Sequence, residues 1–449
     1  MTTAESMGLL DSVLNSVEKE LEASMLPARI FSDDAVFQAE MERIFGRCWM
    51  FVAHESEIPN PGDYVLRRIG LDPVVVVRDE EGTINVLSNY CRHRGTLICQ
   101  ADQGNASHFR CPYHGWIYKN NGDWLGAPHI NQAYRDLDPK QWGLFRAPKV
   151  GTHQGLIFAS LSPDVPTLTD YLGGAGWVLD ACLGLHPDGM RIMGPPDRWR
   201  IKTDWKSGAE NFGGDNYHVD TAHISLDDIG LMQDAREMAK YVHQYDVGDG
   251  HIFTGHGFVD WLGPDWSYWG YPKELVDGFD LSRLDDAQRS MLAGHPPVTG
   301  TVFPNLTYLR FPGSPDPEHE PIVTYTSIRQ WQPVAPGVME LWSWQLTFNA
   351  APEEYSRACY AAGQNAFSSS GVFEQDDTVV WEGLPKAARS VFAQKNQMAL
   401  NYQLGHGDMS DNAVDPDWKG PGTARTTGYG EQNQMAFYRR WLKEMRQVD

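Results

Sequence analysis

Apolar residues recur along this chain with two different periods, and the change from one to the other divides it. Between residues 12 and 46, Val13, Val17 and Leu21 fall at spacing four, and after a loop Phe37, Met41 and Ile44 continue the pattern, so the stretch is predicted helical. From about residue 48 the spacing is that of strands. Asp72 to Cys91 is two apolar runs around Glu80, Glu81 and Gly82, and Ser107 to Gly126 is another pair around Asn120, Asn121 and Gly122. Both predict β-hairpins, and each delivers one Cys and one His at an end. Beyond 165, Trp199, Ile201, Thr203 and Trp205 alternate as in a half-buried strand, and a polar helical or loop stretch follows. Val323 to Trp331 and Glu340 to Phe348 flank the turn residues 333–337, with Trp342, Trp344, Leu346 and Phe348 on one face. A helix is then predicted from Pro352 to Phe367, opening at its proline.

Composition narrows the classes. A chain of 449 residues, 41% hydrophobic, is long enough for two or three domains with real cores. Lys plus Arg number 37 against 59 Asp plus Glu, a formal charge of −22, which disfavours nucleic acid and anionic membranes as partners. An acidic surface still suits a basic redox partner. Neither a basic leader followed by an apolar run nor a stretch of about 18 apolar residues occurs, so a soluble cytoplasmic protein is expected. Six cysteines are too few for a disulfide scaffold, and Cys48, Cys99, Cys182 and Cys359 read as ordinary buried thiols.

The other two cysteines carry chemistry. Cys91 and His93 stand as C-x-H, and Cys111 and His114 follow as C-x2-H. Two thiolates and two imidazoles can hold one zinc, or the two irons of a Rieske cluster with the Cys pair on one iron and the His pair on the other. A zinc finger usually keeps its Cys pair close together and its His pair on a helix, whereas here each half offers one of each in strand-like sequence. Gly95 and Gly115 would let backbone N–H groups approach the sulfurs.

A second set follows in GAENFGGDNYHVDTAH, where Asp215, His218 and His223 are spaced D-x2-H-x4-H. Two imidazoles and a distant carboxylate make the facial triad of non-haem Fe(II) oxygenases. Positions i and i+5 lie about 140° apart around an ideal α-helix, a poor chelate, so a π-bulge or a helix break is expected here. The bland alternative is a pair of surface histidines on a helix. His251 and His256 repeat the spacing, but in an extended segment that would send their rings to opposite faces, and they read as structural.

From about residue 30 to 445 the chain resembles the large (α) subunit of Rieske aromatic-ring-hydroxylating dioxygenases, the naphthalene and biphenyl dioxygenase type. CRHRG, CPYHGW, ENFGGDNYHVDTAH and GVFEQDDTVVWEG carry the resemblance. It implies an α+β chain: an all-β Rieske domain over 48–165, and a catalytic domain over 166–449 with a large antiparallel sheet flanked by helices, helix-grip-like, to which 1–47 adds a helical part. The implied cofactors are one [2Fe–2S] cluster on Cys91, His93, Cys111 and His114 and one mononuclear Fe(II) on His218, His223 and Asp377. Chemistry alone leaves Asp376 as the alternative to its neighbour. Asp215 is implied as the link between His218 and His114 of a neighbouring subunit in an α3 ring, and Asn211, Phe212, Val219 and Phe373 as pocket walls. The implied partners are a reductase and usually a ferredoxin passing electrons from NAD(P)H, a small β subunit as a separate chain (α3β3) or none, an aromatic substrate and O2. The expected product is an arene cis-dihydrodiol from a polycyclic or biaryl hydrocarbon. The alternatives are a Rieske monooxygenase or demethylase, or a dioxygenase of a carboxylate such as phthalate or salicylate.

Overall fold

A computed structural model describes residues 3–228, 235–263, 266, 269–316, 318–406 and 414–447. The chain forms two units, Phe45–Leu168, and Met1–Ile44 together with Thr169–Asp449.

The smaller unit is built from short antiparallel strands. β1 (Met50–His54), β2 (Asp63–Ile69), β3 (Asp72–Arg78), β4 (Ile84–Ser88) and β5 (Gln103–Asn105) precede a three-stranded piece of β6 (His108–Arg110), β7 (Ile117–Lys119) and β8 (Trp124–Gly126). β9 (Lys149–His153) and β10 (Leu156–Ser160) complete a sheet with β1. The β3–β4 hairpin closes where expected, because Gly82 supplies φ +85° and the Asp79 carboxylate accepts from the N–H groups of Glu81 and Thr83 at 3.0 and 2.9 Å. In the second predicted pair the hairpin around Gly122 is β7–β8, and Cys111 to Gly115 instead fill the turn between β6 and β7. Both metal-type loops therefore leave strand ends.

The larger unit centres on an eight-stranded antiparallel sheet. Its strands are β11 (Met190–Ile201), β12 (Val242–Asp246), β13 (Ile252–His256), β14 (Pro297–Val302), β15 (Leu306–Gly313), β16 (Val323–Ala335), β17 (Val338–Phe348) and β18 (Thr423–Arg425), in the order β11-β17-β16-β15-β14-β13-β12-β18. The helices that matter below are α1 (Thr3–Glu22), α2 (Asp34–Glu40), α3 (Trp205–Gly214), α4 (Val219–Ala222), α5 (Phe258–Leu262), α6 (Asp286–Gly294), α7 (Glu353–Phe367), α8 (Val372–Trp381) and α9 (Gln432–Arg446). Trp331, Trp344 and Trp441 are fully buried in this unit. Among the described residues no helix is long and apolar enough to cross a membrane.

Two expectations need correction. The alternation from Trp199 to Trp205 is strand only to Ile201: the Asp204 carboxylate accepts from the Lys206 N–H at 3.0 Å and starts α3, so Trp205 is the first residue of a helix. Residues 203–209 are all buried, and a helix buried all round hides its period. The N-terminal helix begins earlier than expected, at Thr3, and is parted from α2 by a short strand, Met25–Pro27, paired with Ala399–Asn401. His251 and His256 pack in the core. The first donates from Nε2 to the Tyr171 carbonyl at 2.9 Å and accepts at Nδ1 from the Phe303 N–H at 3.0 Å, and the second stacks on Phe258 at 4.5 Å.

Candidate metal centres

In the smaller unit, two loops of like construction follow β4 and β6. The Cys91 and Cys111 N–H groups donate to the carbonyls of Thr96 and Trp116, and the Gly95 and Gly115 N–H groups donate back to Cys91 and Cys111. Both glycines have positive φ, +74° and +70°, which closes each loop tightly. The sulfurs are buried, whereas His93 and His114 are half-buried with rings 4.5 Å apart. His93 stacks on Trp116 at 5.0 Å, and the Tyr118 hydroxyl lies 3.3 Å from Cys91 Sγ. A buried pair of thiols beside a more exposed pair of imidazoles suits a cluster with its sulfur-held iron inward.

In the larger unit, the segment carrying Asp215, His218 and His223 is broken as expected, by a stop and restart and not by a π-bulge. α3 ends at Gly213 and Gly214, where a Cβ would strike Ile252 and Asn433 respectively. The carbonyls left at that end are satisfied from other elements: Asn433 Nδ2 donates to Gly213 at 2.9 Å and Gln244 Nε2 to Gly214 at 3.2 Å. His218 then opens the single turn α4 and His223 closes it. Their Nε2 atoms come to 3.2 Å of each other, and each lies 3.3 Å from Asp377 Oδ1 on α8.

This is the one His/Cys/Asp/Glu group among the described residues whose three ligand atoms lie within 4.8 Å of one another. Donors on one face of an octahedron with bonds of about 2.1 Å would stand about 3 Å apart, so the triangle fits a divalent first-row metal with its far side open. The adjacent carboxylates diverge. Asp376 faces His223 Nδ1 at 3.3 Å, behind the ring, while Asp377 joins the triangle. Burial pushes the Asp377 carboxyl upward, but the hydrogen bonds from His218 and His223 prevail and hold it at about 2. His218 donates from Nδ1 to the Asp215 carbonyl, with the Asp215 carboxylate at 3.6 Å, and that carboxylate drives its pKa well up against burial.

Two family models match, a Rieske [2Fe-2S] domain over residues 48–143 and the catalytic domain of ring-hydroxylating α subunits over 168–447. The chain belongs to the ring-hydroxylating α-subunit family. Its cofactors are a Rieske [2Fe–2S] cluster and a mononuclear iron. Over 443 residues, 97% of this chain and 95% of the relative, this oxygenase subunit is 47% identical to the N,N-dimethyl phenylurea N-demethylase subunit alpha of Sphingobium sp. (strain YBL2). It is 34% identical to the biphenyl 2,3-dioxygenase subunit alpha of Rhodococcus jostii (strain RHA1), over 94% of this chain and 89% of that one. Naphthalene 1,2-dioxygenase from Rhodococcus sp., solved with indole bound, superposes with a TM-score of 0.88 at 38% identity, over 97% of both chains.

Beside the triangle lies a cleft of about 60 Å³. All four residues predicted as its walls, Asn211, Phe212, Val219 and Phe373, line it. Sequence reasoning missed Val298 and Thr299 on β14, Leu309 and Phe311 on β15, Phe367 on α7, and Met238. They come from two strands, a helix and a turn, and all but Thr299 are buried like ordinary core residues, so nothing local marks them as facing a cleft. Arg329 lies behind this wall, fully buried, paired with Glu374 and 4.8 Å from the Phe212 ring.

Proposed function

We propose that this α subunit oxidises a neutral aromatic substrate, and that its own residues hold the metals as the geometry suggests. Cys91 and Cys111 hold one iron of the cluster and His93 and His114 the other; His218, His223 and Asp377 hold the mononuclear iron. When bound, the cluster supplies single electrons and the mononuclear iron supplies O2 activation. The protein orients: Asp376 sets the His223 ring, the Asp215 carbonyl sets that of His218, and four phenyl rings keep water from the open side of the triangle. Asp215 carries the link to His114 of the partner subunit. Its Oδ1 is buried without a hydrogen-bond partner, an acceptor still to be filled. Electrons come from NAD(P)H through a reductase and ferredoxin.

One observation carries the substrate class. The described residues lining the cleft include Phe212, Phe311, Phe367 and Phe373, and none is Lys or Arg. A carboxylate extending along this lining away from the metal would be buried without a basic side chain to pair it, which argues against phthalate- or salicylate-like acids. For the outcome, oxidative N-demethylation of an aryl N-methyl compound leads, supported by the 47% identity to a demethylase subunit against 34% to a biphenyl dioxygenase subunit. Arene cis-dihydroxylation is the second reading, supported by the likeness to naphthalene dioxygenase. Both consume one O2, two electrons and two protons. Demethylation puts one oxygen into formaldehyde and the other into water, whereas cis-dihydroxylation puts both into the diol. The test supplies the purified protein with reductase and ferredoxin, offers N,N-dimethyl phenylurea or biphenyl under isotopically labelled O2, and measures formaldehyde and labelled diol. Formaldehyde matching substrate loss supports the first reading; diol with two labelled oxygens and no formaldehyde replaces it with the second.

A further inference from the structure

The cleft and the substrate class do not match in size. The space beside His218, His223 and Asp377 is about 60 Å³. A buried apolar cavity that takes a single benzene is about 150 Å³. The same unit contains a second cavity of about 310 Å³, walled by Phe258, Trp266, Trp269, Phe279, Leu185 and Leu292 among others.

A pair of touching rings, one from each lining, joins the two spaces. Phe258 of α5 lines the large cavity, Phe311 of β15 lines the cleft, and their ring centroids are 6.5 Å apart, edge to face. Rings at that separation touch, leaving no room for another side chain between them. The backbone agrees. Pro296, just before β14, lines the large cavity, and Val298 and Thr299 within β14 line the cleft, so the two spaces are about 7 Å apart along one strand.

The walls differ in what would be lost by moving them. Trp269 lies under the Arg310 guanidinium at 3.7 Å, and Arg310 donates to the Pro297 carbonyl at 2.7 Å, so this side of the large cavity is pinned. Phenyl rings turn about two side-chain torsions without breaking a hydrogen bond. We infer that Phe258 and Phe311 form a movable partition: an aryl substrate seats its reacting group by the triangle, displaces a ring, and extends its distal part into the large cavity. The occupant there is neutral and apolar, such as a second ring. Arg289 at this cavity is engaged by Asp286 and by the carbonyls of Leu281 and Leu284.

This rests on the neutral-aryl reading, and the experiment separates the two. Dissociation constants of a one-ring aryl compound, N,N-dimethyl phenylurea, and of biphenyl are measured by equilibrium dialysis on the protein with both iron centres in place. Phe258→Ala, which opens the partition, should tighten biphenyl about fivefold and leave the one-ring compound within about twofold. Leu185→Trp, which fills the large cavity, should weaken biphenyl about tenfold, the loss expected when a second ring is no longer buried, and again spare the smaller ligand. Ala293→Phe, at the exposed rim of the same cavity, serves as the filler if Leu185→Trp does not fold. The visible spectrum of the cluster reports folding in each variant. Should the fillers weaken both ligands alike, or neither, the partition is wrong while the aryl reading stands. Should neither compound bind the wild type, the aryl reading fails and the partition with it.

Discussion

Replacing Tyr118 by Phe removes one oxygen from the core of the Rieske unit and should lower the potential of the cluster by about 20–85 mV. Tyr118 is fully buried on β7. Its hydroxyl accepts the Arg92 N–H at 3.0 Å and lies 3.3 Å from Cys91 Sγ, so its single proton is left to donate to the sulfur. An electron entering the cluster adds negative charge to its sulfurs and strengthens that bond. A hydrogen bond to a charged acceptor contributes about 1.5–3 kcal/mol against about 1 for a neutral one, so the reduced state gains about 0.5–2 kcal/mol more from this hydroxyl than the oxidised state. A one-electron couple moves 59 mV for each factor of ten, about 1.4 kcal/mol, which converts that gain into the stated shift. The assay is a dye-mediated potentiometric titration followed by the EPR signal of the reduced cluster. Tyr134→Phe is the control, because that hydroxyl accepts from Trp116 Nε1 at 3.1 Å and its removal should leave the potential in place. A Tyr118→Phe potential within about 10 mV of wild type, or above it, would refute the argument that the hydroxyl acts on the sulfur.

Other substitutions separate roles within the second centre. Asp377→Ala should lose the mononuclear iron while acid-labile sulfide and the cluster spectrum stay intact, whereas Asp376→Ala should keep the site but bind iron about 10–100-fold more weakly, since it only orients His223. Asp215→Ala should leave the cluster reducible and much of the iron bound yet suppress single-turnover product; turnover near the wild-type rate removes its linking role, and loss of all iron makes it structural. His251 is buried, which lowers its pKa from 6.5 to about 4. Between those values the unfolded chain binds a proton that the folded chain refuses, so stability should fall by up to about 3 kcal/mol as pH drops through that window. Urea unfolding at several pH values should show a shallower fall in His251→Gln, and equal slopes would contradict the assignment.

Much of both centres was legible because their ligands are local. Cys91 and His93, Cys111 and His114, and His218 and His223 each sit within one short loop or turn, so spacing alone constrains what they can hold. The hairpins around Gly82 and Gly122 were legible for the same reason: turn residues act on their own backbone. Where distant elements decide, the pattern runs out. Asp376 and Asp377 are chemically identical neighbours, and only the packing of α8 turns one toward the histidines and the other behind His223, about 100° apart on the helix. α3 stops at Gly214 because amides from Gln244 and Asn433, far along the chain, take its last carbonyls, and that stop is what lets His218 and His223 converge. Trp205 alternates like a strand residue but begins a helix, since burial on every side erases the period that would have shown it. The cleft belongs to tertiary structure most of all. β14 and β15 are buried on both faces, so their sequence does not say whether Val298 or Phe311 meets solid core or open space, and the ring of Phe258 arriving from another element decides where one becomes the other.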